Sequence, residues 1–124
     1  MSDQEPKSIE EIFDWMRENA RAYSKAKAER VFLEHFRQSK LAILHEQRRK
    51  ELSSMDEGKQ KITETQLENW ARSHPEYLEV LDGLRVAVET EERLGMIKAG
   101  IAHRVSVWQT EQANDRIERK GYAA

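Results

Sequence analysis

The chain has 124 residues, of which 38% are hydrophobic and 35% charged. That is apolar-poor and charge-rich against ordinary globular proteins, and sized for one modest domain. Its 5 Gly and 2 Pro supply too few turns for a sandwich or barrel, and the absence of Cys excludes disulfide scaffolds, zinc–thiolate sites, iron–sulfur ligation and cysteine nucleophiles. High charge with few breakers points to long helices. No apolar run approaches the roughly 20 residues of a membrane span. The opening residues, MSDQEPKSIEEIFDW, lack the basic start and apolar core of a signal peptide. A soluble protein of the cytoplasm, with no membrane partner, is the expectation.

The net charge of −2 hides strong segregation. Residues 1–20 carry net −4, residues 21–50 net +6, residues 51–97 net −6 and residues 98–124 net +2. Such a molecule has surfaces of both signs, able to meet an anion or a second copy.

Residues 1–7 read as disordered. Ser8 with Glu11 makes a capping-box pattern, and Ile9, Ile12, Phe13 and Met16 follow at helical spacing. From Tyr23 onward two apolar stripes run side by side. One holds Phe32, Phe36 and Ile43; the other holds Leu33, Phe36, Lys40 and Leu44. No Gly or Pro interrupts residues 7–57, and the pattern leaves open whether residues 8–52 form one helix or two bending near Asn19 to Ser24. SSMDEGK, from Ser53 to Lys59, reads as the loop at the tip of a helical hairpin. Thr63 and Gln66 form a second capping box, opening a short helix with Leu67, Trp70 and Ala71. Ser73 reads as a third cap, with Pro75 in the first turn and Glu76 reaching back.

The last helix is expected from His74 to about Arg119, with a disordered tail over 120–124. Tyr77, Leu81, Leu84 and Val88 form its first stripe; Leu94, Ile97, Ile101, Val105 and Trp108 form its second. The six-residue step from Val88 to Leu94 rotates the apolar face by over half a turn. The helix either bends near Gly95 or turns its halves toward different partners, and Gly95 and Gly100 mark a bend or a close crossing. These patterns predict an all-α fold: a long helical hairpin with a short connecting helix and a long C-terminal helix. Residues 8–119 form its single domain. Two long rods in so short a chain also predict a homo-oligomer, joined through Leu94, Ile97, Ile101, Val105 and Trp108.

The chain carries no chemical signature. His35, His45, His74 and His103 lack the spacing of metal-binding pairs, and the scattered glycines form no phosphate loop. The expectation is a protein that is not an enzyme, with no metal and no cofactor. The basic segment is the candidate site. Arg21, Lys25, Arg37 and Lys40 project from one long helix segment and Arg48, Arg49 and Lys50 cluster at its end, offering phosphate contacts, and Tyr23 and Trp108 are aromatics with basic neighbours. The competing reading is a solvated helix face laced by pairs such as Lys25–Glu29 and Arg30–Glu34.

Three segments, KAERVFLEHFRQSKLAILHEQRR, HPEYLEVLDGLRVAVETEERL and IAHRVSVWQTEQANDR, together resemble small all-helical proteins of tailed phages and, more distantly, the UvsY family of recombination mediators. The resemblance spans about residues 22–119 and rests on helical patterns rather than catalytic motifs. It implies a homo-oligomer that binds single-stranded DNA through the basic arm, with contacts falling on Lys25, Lys27, Arg30, Arg37, Lys40, Arg48 and Arg49, and helps a recombinase displace single-strand-binding protein in the host bacterial cytoplasm. The chain departs from the family before the loop, where HEQRRKELSSMDEG lacks the family's aromatics. The alternative is a small helical protein-interaction module, an inhibitor or adaptor of a host or phage protein, using its acidic surface. A third reading is a scaffold whose charge segregation serves self-assembly.

Overall fold

A computed structural model describes residues 8–56 and 62–123, and these are all-helical. Helix α1 spans Ile9–Asp56, α2 spans Glu64–Ser73 and α3 spans Pro75–Ala123. The chain divides into two compact units. One joins residues 1–25 to 91–124, and the other is residues 26–90.

The alternative left open for residues 8–52 resolves to one helix. Ser8 caps it, its hydroxyl accepting the Glu11 N–H at 3.2 Å, and Glu10 and Glu11 meet the positive end of the helix dipole. The expected loop begins later than its composition suggested. Ser53 to Asp56 are still helical, because Ser, Met and Asp do not break a helix already propagating. Gly58 and Lys59 lie outside the described residues. At the other end, α3 continues through residues 120–123, where a tail was expected. Gly121 lowers helix propensity without ending the helix.

The α2–α3 junction is a single residue. His74 ends α2, donating its N–H to Ala71 O at 3.2 Å, and also caps α3, its Nδ1 accepting the Glu76 N–H at 3.1 Å. Ser73, the expected cap, instead donates its hydroxyl back to the Asn69 and Trp70 carbonyls at 2.8 and 3.2 Å. The reason is Pro75. Proline is preorganised for the first helical position, so the cap falls on the residue before it. The Thr63–Gln66 box forms as read, with both reciprocal hydrogen bonds present.

In the unit of residues 26–90, Leu41 and Leu44 of α1, Ala71 of α2 and Tyr77 of α3 form a buried cluster, with Trp70 and Leu81 packed against it. Leu67 is buried as well. Of the two α1 stripes, the one through Leu33, Lys40 and Leu44 turns inward. Phe32 and Ile43 of the other remain 60% and 55% exposed. A helix buries one face, and here the inward face is the one carrying Arg30, Arg37, Lys40 and Arg48, all half-buried. Their aliphatic stems cover apolar surface while their heads seek partners, which is how an apolar-poor sequence completes this layer.

In the unit of residues 1–25 and 91–124, Ile101 is 1% exposed and Asn19 is 6% exposed. The Asn19 amide donates to the Leu94 carbonyl at 3.3 Å, so the buried polar group is satisfied. Gly95 lies opposite Tyr23, where an added Cβ would stand 3.5 Å from the ring, while Gly100 faces open space. Gly95 thus lies at ordinary contact distance from a ring and Gly100 does not, neither marks a close crossing, and α3 is not interrupted at either. The rotated stripes of α3 serve the two units separately. Tyr77, Leu81, Leu84 and Val88 belong to the 26–90 unit, and Leu94 to Trp108 belong to the other.

Candidate nucleic-acid interface

Eight of the cations of the basic arm, those from Lys25 to Lys50, fall into two groups. Five are occupied or enclosed. Arg30 pairs with Glu34 at 3.0 Å, the second of the two helix-face pairs read from the sequence. Lys40, its side chain 19% exposed, meets Glu76 of α3 at 3.5 Å. Arg48 meets Glu51 at 3.3 Å, and its guanidinium lies 5.3 Å from the centre of the Trp70 ring. Arg49 bridges Glu46 at 3.2 Å and Glu64 of α2 at 3.1 Å. Arg37 is half-buried, its Nε enclosed without a hydrogen-bond partner.

Lys25, Lys27 and Lys50 are exposed. Among the described residues no ion pair reaches them. The basic arm is thus partly neutralised by Glu64 and Glu76, which belong to the acidic 51–97 segment of the same chain. A third acid of that segment, Glu68, stands 3.0 Å from His45 Nε2, a contact that becomes an ion pair when the imidazole is protonated. The Nε2 is enclosed and otherwise without a hydrogen-bond partner. Arg72 hydrogen-bonds Glu68 and holds its carboxyl below the usual carboxylate range, while the Arg72 guanidinium is raised in turn.

The aromatics with basic neighbours are engaged within the chain. Lys98 stands 5.1 Å over Tyr23, and Arg104 stands 5.6 Å over Trp15. Trp108, half-buried, lines an open cleft of about 260 Å³ with Ile9, Ile12, His103, Arg104, Val107 and Glu111. Of the residues read as an oligomer interface, Ile101 is fully buried within one chain, and Leu94, Ile97, Val105 and Trp108 are half-buried. That stripe is therefore largely consumed before any second copy arrives. Intramolecular packing and association compete for the same apolar surface, and the sequence pattern is the same for both.

The exposed rings lie elsewhere. Phe32 and Phe36 stack at 5.8 Å with their planes 11° apart, and stand 60% and 36% exposed. Their stripe was legible in the sequence. Which of two adjacent stripes would stay outside was not. Among the described residues no group of three or more His, Asp or Glu side chains is placed to hold a metal, and no helix is long and apolar enough to cross a membrane. Comparison with protein-family models, with curated proteins and with solved structures returns no match.

Proposed function

We propose that the chain is a non-enzymatic helical module that binds single-stranded DNA, acting as the recombination mediators it resembles act, by helping a recombinase replace single-strand-binding protein. The observation that carries this reading is the exposed set Lys25, Lys27 and Lys50 on α1, left without acidic partners among the described residues in a chain of net charge −2. Lys25 of one unit and Lys27 and Lys50 of the other each offer a weak phosphate contact, and several copies on one strand multiply such contacts through effective concentration. The test is fluorescence anisotropy of a labelled single-stranded oligonucleotide across a salt series. Three phosphate contacts give a slope of about −2 in log affinity against log salt per copy. The triple change of Lys25, Lys27 and Lys50 to Ala flattens that slope, whereas Lys40→Ala leaves it nearly unchanged because Glu76 already holds that ammonium. No binding at low salt, or a slope that tracks Lys40 instead of the three exposed lysines, overturns the reading.

A second reading, a protein-interaction module, is favoured by the outward Phe32, Phe36 and Ile43 of α1. It predicts binding to a protein that survives loss of the three lysines and fails when Phe32 is changed to Ser.

A further inference from the structure

The outward face of α1 has a regular register. Glu29, Phe36, Ile43 and Lys50 stand seven residues apart, and Phe32, Ser39 and Glu46, the last paired with Arg49, fall between them at the three- and four-residue steps of a coiled-coil seam. The seam runs over about 31 Å of helix at 1.5 Å per residue. Its centre is apolar: Phe32, Phe36 and Ile43 are 60%, 36% and 55% exposed. Its ends are charges of opposite sign, and among the described residues neither Glu29 nor Lys50 makes an ion pair within the chain.

The order acid, ring, aliphatic, base is complementary to its own reversal. A two-fold axis between residues 39 and 40, with helices antiparallel, sets Phe36 against the partner subunit's Ile43 and Glu29 against the partner subunit's Lys50. Each contact occurs twice. The same axis brings the two Ser39 residues together at the centre, where a small side chain lets the helices approach. A parallel pairing in register would instead set Glu29 against Glu29 and Lys50 against Lys50, which costs rather than contributes.

The geometry points to this α1 face as the seat of a second copy of the chain, docked antiparallel. The inference does not rest on nucleic-acid binding, although it shares Lys50 with the proposed contact set, and it differs from the interface expected on the C-terminal helix, whose five apolar residues are buried or half-buried within the single chain. The size of the contact sets its strength. Three side chains of this kind expose on the order of 300 Å² per copy. A stable interface takes roughly 800 Å² per partner. The pair is therefore a reversible dimer whose population rises with concentration rather than a permanent one.

Sedimentation equilibrium of the full chain over a hundredfold concentration range tests it. The expected result is a monomer–dimer equilibrium. Lys50→Glu faces each Glu29 with a like charge and weakens the dimer at least tenfold. Adding Glu29→Lys to that chain restores the pairs in reversed sense and returns the constant to within about threefold of the original. Both positions are solvent-facing, so the folded chain is retained, and circular dichroism verifies it. Because the natural chain has no cysteine, orientation is read by oxidation. Ser39→Cys gives a disulfide-linked dimer, and Phe36→Cys does not. A chain that stays monomeric throughout, a dimer indifferent to both charge changes, or cross-linking at position 36 as efficient as at 39 overturns the inference.

Discussion

Gly95 and Gly100 look alike in the sequence and differ in the structure. Gly95 faces the Tyr23 ring, while a Cβ at Gly100 meets nothing within 4 Å. Both lie inside α3, where glycine costs about 1 kcal/mol relative to alanine. Gly100→Ala is therefore expected to stabilise the protein by about 1 kcal/mol and raise the melting temperature by a few degrees, read by thermal denaturation. A loss of stability would mean that position 100 is covered. The cations show the same dependence on surroundings. Lys25 and Lys40 have equal charge, yet one is exposed and the other has 19% of its side chain exposed against Glu76. Sequence distance carries no information on that pairing, since Glu76 stands on another helix.

Helix boundaries were legible where side-chain chemistry is local. The Thr63 box sits three residues from its partner, so the start of α2 follows from sequence alone. The start of α3 moved to Pro75 because proline's place in the first turn overrides the preference of Ser73 for a cap. On α2, the Arg72–Glu68 pair gives a pH dependence whose sign is fixed. The Glu68 carboxyl is held below its ordinary value of 4.5, chiefly by the Arg72 hydrogen bond. Its contribution is present above the unfolded value and is lost as pH falls through the lowered folded one. An NMR titration of the Glu68 carboxyl should show it ionising at lower pH than an ordinary glutamate, and Arg72→Ala should move it back up. An unmoved titration would assign the shift to something other than that hydrogen bond. Arg72 is exposed and Glu68 is half-buried at the surface, so the effect on global stability is small.

Across the whole molecule, the apolar residues divide between those that hold the chain together and those left outward. Leu44 is fully buried and Phe32 is 60% exposed. Leu44→Ala is expected to cost about 2–5 kcal/mol in denaturant unfolding. Phe32→Ala, measured at concentrations where the chain is monomeric, is expected to stay within about 1 kcal/mol of the parent. A ring buries most of its free energy only when water is removed from it. Comparable costs would show that residue 32 is covered within the chain.

By itself the sequence determined the helical class, the caps at Ser8 and Thr63, and two stripes each on α1 and α3. Each follows from interactions within four residues or from a 3.6-residue period, and neither needs knowledge of distant neighbours. Tertiary structure decided which α1 stripe turned inward, that the Leu94–Trp108 stripe was largely taken up within the chain, and that Glu64 and Glu76 reached back to the basic arm. Those outcomes depend on which helices come into contact. Periodicity gives the face a helix offers for burial and leaves open the surface that covers it.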